Sequence, residues 1–195
     1  MTRTIAILAL IAGGLAAKDL TQGERNRAMS ELHASRKMVV DSVAGLSAGQ
    51  LNWKASAEKW SIAEVIEHLA MTEDFLFGFY QQVAKMPADA GAKAAQGDEE
   101  FMKGIRNRDQ KVQAPDPATP KKVFPDTAAA LRAFDERRLR TIAYVDTTKD
   151  QDLRLRIVPN MKMDAYQMFL LLAAHGQRHV AQIAEVKAAA GFPKK

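Results

Sequence analysis

The chain has 195 residues, 28 Lys and Arg against 23 Asp and Glu, a formal net charge of +5, and no cysteine. That length suits one domain with a core of its own, and the missing cysteines exclude disulfide staples, a thiolate nucleophile and a Cys-type zinc site. The basic residues are scattered, with Arg137, Arg138 and Arg140 beside Asp135 and Glu136, so the charge is a solvated surface and not the basic stripe of a nucleic-acid reader.

The N-terminus stands apart. A basic start, Met1-Thr2-Arg3, precedes the apolar run Ile5 to Ala12; Gly13 and Gly14 break it, and Leu15-Ala16-Ala17 offers small residues before Lys18-Asp19. This is the pattern of a secretory signal peptide over residues 1–17, and the run is too short to span a bilayer comfortably. The expectation is an exported protein, periplasmic or secreted, without stable membrane association after cleavage. An uncleaved anchor or a buried first helix are the alternatives.

Ala, Leu, Met, Glu, Lys, Gln and Arg dominate the remainder, which favours helix. A first helix is predicted from about Glu24 to Ala44, with Met29, Leu32, Met38, Val39 and Val43 on one face; Gly45 and residues 47–50 break it. A second begins at Ser61, where Ser61-Ile62-Ala63-Glu64 is a capping box, and its stripe Ile62, Val65, Ile66, Leu69, Leu76, Phe79 and Val83 stops at Met86-Pro87. Residues 87–125 hold five of the seven prolines around one short helix near Asp98 to Arg108, a long and partly irregular connection expected to be a crossover, a lid or partly mobile. A third helix starts at Asp126 or Thr127 and carries Leu131, Phe134, Arg138, Ile142 and Val145 on one face. After a connection over 147–160, a fourth runs from about Met163 to Ala190, with Gly191 as its C-cap and Pro193 beyond. One all-α four-helix bundle over residues 22–193 is the economical reading.

The chemistry concentrates on the fourth helix. His175 and His179 are four residues apart, so both imidazoles face the side that carries Met168, Leu172, Ile183 and Val186. Inward imidazoles are either hydrogen-bonded core residues or two ligands of one metal ion. His68, on the flank of the second helix, is the natural third ligand, and three nitrogens with open positions are the mark of a catalytic site. His33, beside Leu32, reads as a surface or seam residue. Glu64, Glu67 and Glu73 neighbour His68, and Gln182 and Glu185 follow His179; one of them is a candidate to orient an imidazole, with a plain surface role the simpler alternative for each. Trp53 and Trp60 read as packing residues.

Two stretches carry a family resemblance. Gly45-Leu46-Ser47-Ala48-Gly49-Gln50-Leu51 with Trp60-Ser61-Ile62-Ala63-Glu64-Val65-Ile66-Glu67-His68-Leu69, and His175-Gly176-Gln177-Arg178-His179-Val180-Ala181-Gln182-Ile183 ending in Gly191-Phe192-Pro193, resemble the hallmarks of the DinB superfamily. This metal-dependent bundle family is unrelated to the DNA polymerase of the same name. The resemblance covers about residues 24–86 and 126–193; residues 87–125 show no family pattern. It implies an up-down-down-up bundle with a long crossover between helices 2 and 3. It also implies a divalent metal, zinc or nickel, on His68, His175 and His179. Characterised relatives are thiol-dependent S-transferases, so the resemblance points to a transferase acting on a small-molecule substrate with a low-molecular-weight thiol supplied from outside. Export argues against that thiol, because such thiols are mainly intracellular. The alternatives are a metal-dependent hydrolase and a non-catalytic metal-binding or stress-response interaction bundle. Flat helical faces are compatible with a homodimer.

Overall fold

A computed structural model describes residues 18–109 and 111–194, so the expected signal peptide lies outside the described residues. These residues form six α-helices: α1 (Gln22–Val43), α2 (Ala48–Asn52), α3 (Ile62–Val83), α4 (Asp98–Arg106), α5 (Thr127–Thr147) and α6 (Gln167–Ala188). Two short 3₁₀ turns, Asp116–Ala118 and Leu153–Leu155, lie in the connections. Among the described residues no helix is long and apolar enough to cross a membrane.

The helices start where oxygen-bearing side chains satisfy their first amides. Thr21 with Glu24, Ser47 with Gln50, and Ser61 with Glu64 are full capping boxes, and Asp126 accepts from the Ala129 amide. The second of these makes a helix, α2, of residues expected only to break α1. α6 begins four residues later than its apolar pattern suggests. Ala165 donates its amide to the Leu153 and Arg156 carbonyls and Asp164 bridges to Ile157, so the backbone before Gln167 is already committed. The Asp164 carboxylate then accepts from the Gln167 amide at 2.7 Å and opens the helix. At the far end Gly191 takes φ 84°, a left-handed turn that an L side chain adopts only with strain.

The four long helices make the bundle. α1 lies between α5 and α6, and α3 lies between the same two, so α1 and α3 are diagonal. Contacts along each pair fix the directions. Arg36 meets Asp135 while Arg25 meets the Val145 carbonyl, so α1 and α5 are antiparallel. Arg137 reaches the Ala70 carbonyl and Tyr144 packs on Tyr80, so α3 and α5 are parallel. Phe169 packs on Tyr80 and the α6 histidines meet His68, so α3 and α6 are antiparallel. The connectivity is up-down-down-up. Because α3 and α5 run the same way, the chain must return along the whole bundle between them, and residues 84–126 make that return. α4 belongs to it and packs on α6 with Met102 fully buried.

The core has two apolar halves, one around Leu32, Tyr80, Phe169 and Leu172, the other around Val39, Ile66, Phe134 and Ile183. A buried polar layer separates them. Its centre is Arg138 of α5, 0% exposed, whose guanidinium donates to both carboxylate oxygens of Glu73 (α3), to Ser35 Oγ and the Leu32 carbonyl (α1), and to the Leu172 carbonyl (α6). One side chain thus ties all four helices. It also corrects the predicted face of α1. Met38 is exposed and Ser35 is buried, because the Ser35 hydroxyl answers the arginine.

Candidate metal centre

The same polar layer carries the three histidines across the α3–α6 seam. His68 projects from α3, and His175 and His179 from successive turns of α6. The reactive atoms of all three fall within 4.8 Å of one another. His175 Nε2 lies 3.2 Å from His68 Nε2 and 3.0 Å from His179 Nε2. His68 and His179 are buried and His175 is half-buried, so the cluster meets solvent on the His175 side. The half-buried Trp60 ring, just before α3, lies 5.0 Å from the His68 ring and closes one wall. His33 is exposed and lines a groove between α1 and α5 with Arg36 and Asp135, away from the cluster.

The outer nitrogens decide what the inner ones can do. His68 Nδ1 is 2.7 Å from the Ala118 carbonyl, an acceptor only, so Nδ1 carries the hydrogen and Nε2 is a lone pair. His179 Nδ1 is 2.8 Å from Gln182 Oε1, which also accepts from Arg108, and the same conclusion holds. Two imidazoles therefore aim lone pairs at the centre, and His175 Nε2 has at most one hydrogen to offer. At least one inward lone pair lacks a donor within the cluster. A cation at the centre answers all three. Nitrogens about 2.05 Å from a tetrahedral ion stand about 3.3 Å apart, close to the 3.2 and 3.0 Å that separate His175 Nε2 from its two neighbours.

Electrostatics agree. Burial pushes His68 below the ordinary imidazole range. It pushes His175 well below that range, helped by His179 and His68, and His179 down to about 3, helped by His68. Neutral imidazole is the form that ligates metal.

The neighbouring carboxylates are committed elsewhere. Glu64 caps α3 and pairs with Lys54, Glu73 holds Arg138, and Glu185 holds Arg108. Glu67 accepts the Lys121 and Val123 amides at 3.0 and 2.8 Å and so pins the crossover to α3. Of the five candidates to orient an imidazole, only Gln182 touches one. The Ala118 carbonyl, which orients His68, left no sign in the sequence because a backbone acceptor has no residue signature.

A four-helix bundle of up-down-down-up order with three converging imidazoles at one seam defines a class, and the comparisons with known proteins name it. The profile of the DinB superfamily matches residues 31–183, and the chain belongs to that superfamily. The chain is 28% identical over 162 residues to the uncharacterized protein YuaE of Bacillus subtilis, covering 82% of this chain and 96% of that one. Its fold is similar to that of YfiT from Bacillus subtilis, described as a probable metal-dependent hydrolase with an unusual four-helix bundle topology. The TM-score is 0.58 at 17% identity, over 89% of this chain and 91% of the other.

Proposed function

We infer that the chain is a metal-dependent enzyme whose His68, His175 and His179 hold one divalent ion, zinc or nickel, and that the reaction at this ion is hydrolysis of a small-molecule substrate. The observation that carries this reading is the set of converging inner nitrogens, held in the ligating tautomer by the Ala118 carbonyl and Gln182. An ion with three neutral ligands keeps its full charge, and lowers the pKa of a bound water or thiol. The chain's own residues supply the frame. His175 marks the solvent-facing side where a substrate enters, Trp60 walls the His68 flank, and the committed glutamates leave no free carboxylate among those adjoining His68 to compete as a ligand. The likeness to YfiT supports hydrolysis.

A second reading, thiol S-transfer, draws on the family's thiol-dependent members. The chain has no cysteine, so the thiol comes from outside. The two readings part in one assay. Metal-loaded protein is given activated esters and amides, and separately model electrophiles, each with and without low-molecular-weight thiols. Turnover without thiol that disappears on chelation supports hydrolysis, thiol-dependent turnover supports transfer, and turnover unaffected by chelation contradicts both. For the expected export, an intact Met1 in mature protein from the host contradicts cleavage after residue 17.

A further inference from the structure

The crossover does more than return the chain. Leaving α4, it follows the outer side of α6. The Arg108 guanidinium there contacts Gln182 Oε1 at 3.3 Å and both Glu185 oxygens at 2.7 and 2.8 Å. It next reaches α3, where the Ala118 carbonyl meets His68 Nδ1 and Glu67 accepts the Lys121 and Val123 amides. Arg108 is thus tied to α6 and Ala118 to α3, on the two sides of the seam that the histidines bridge. Ala118 is buried, whereas Val112 between the two attachments is 80% exposed, so the segment is packed at its Ala118 foot and open to solvent in its span.

Both feet rest on the outer nitrogen of a histidine. One is direct, from the Ala118 carbonyl to His68. The other runs from Arg108 through Gln182 to His179. We propose that residues 111–123, together with Arg108, form a metal-coupled strap: loading the histidines with a divalent ion and seating the strap on α3 and α6 are one linked equilibrium. The proposal rests on the metal reading above and adds to it a regulated segment that holds two of the ligands by their outer nitrogens.

The physical ground is reciprocity. An ion draws electron density from His68 and His179, which makes each Nδ1 hydrogen a stronger donor and tightens its bond to Ala118 or Gln182. Conversely, a seated strap fixes the tautomer and rotamer that the ion needs, and removes the freedom the rings would otherwise lose on binding. Outer partners of this kind are worth about 10- to 100-fold in metal affinity. Linkage requires that loading suppress strap opening by the same factor.

Glu67 offers a handle on the strap because, although it adjoins His68 in the chain, its carboxylate holds two crossover amides and not an imidazole. The test is hydrogen exchange at the Lys121 and Val123 amides in the full chain, stripped by chelator and then loaded with Zn²⁺ or Ni²⁺, alongside metal affinity by competition titration. Exchange at these two amides is expected to slow about 10- to 100-fold on loading, while Glu67→Ala weakens metal binding by a similar factor. Glu67→Gln, which keeps a carbonyl oxygen to accept an amide, is expected to recover part of that loss. A Glu67→Ala protein that fails to fold leaves the exchange comparison on wild type and the Glu67→Gln affinity to decide. Equal exchange in stripped and loaded wild type, with metal bound, overturns the strap and leaves the metal reading standing. No metal bound by refolded wild type overturns both.

Discussion

Two polar clusters meet α6 within one turn of each other, at the Leu172 carbonyl and at His175, and they are built in opposite ways. Around Arg138 every group is answered: a full charge meets a full opposite charge, and the remaining donors meet Ser35, Leu32 and Leu172. Around His175 the groups are uncharged, alike, and aimed at one another, with fewer hydrogens than lone pairs. The first arrangement is complete without a ligand and specifies how four helices meet. The second leaves an inward lone pair without a donor inside the cluster, which the proposed cation answers. Position in the fold does not separate the two clusters; the count of donors against acceptors does.

The comparison predicts different consequences of damage. Glu73→Ala leaves the Arg138 charge buried and unpaired, and should cost about 3–5 kcal/mol in denaturant unfolding, the largest effect expected here. Replacing both partners with apolar residues of similar volume, Glu73→Leu with Arg138→Met, should recover most of that loss. A double variant as weak as the single one would show that the arginine's other contacts carry the stability. His68→Ala in the metal-free protein should cost less than Glu73→Ala, yet abolish metal binding; equal losses of stability would erase the distinction between the clusters.

Acid should separate them further. The histidine pKa values are depressed in the folded chain and ordinary, near 6.5, in the unfolded one. Below about pH 6.5 the unfolded state therefore binds more protons, so metal-free stability is fully present above that pH and declines as the pH falls toward about 3. Thermal melts between pH 8 and 4 should show the decline, and His179→Phe should flatten it. A melt temperature that rises on acidification across this window would contradict buried neutral imidazoles. The smallest effect belongs to Gly176, which faces the arginine. A Cβ there meets Ser35 Cβ at 3.5 Å and Arg138 Nη2 at 3.7 Å, ordinary contacts. Gly176→Ala should be neutral or stabilising by up to about 1 kcal/mol, and a loss larger than that would mean the layer has no slack.

Much of this was legible in the sequence, and for identifiable reasons. The four long helices followed from period and caps, since Ser61 with Glu64 and Asp126 mark their starts by local chemistry. His68, His175 and His179 stand out as candidate ligands because an i,i+4 pair and one flank position leave few alternatives, and the structure brings their nitrogens within 4.8 Å of one another. The late start of α6 was hidden because Met163 to Tyr166 are apolar enough to continue the stripe, while long-range bonds to Leu153 and Arg156 hold them out of the helix. Ser35 escaped notice because a small hydroxyl on an apolar face declares its role only once Arg138 is placed against it. The crossover was the least legible part: its attachments to the site are a backbone carbonyl and a side chain acting through Gln182.

The central claim is that the three inward nitrogens hold an ion. Metal analysis of untagged protein, refolded and equilibrated with Zn²⁺ or Ni²⁺ and then dialysed, tests it most directly. About one ion per chain is expected in wild type, and none in His68→Ala or His179→Ala. A wild type that retains no metal, or variants that retain as much as wild type, would contradict it.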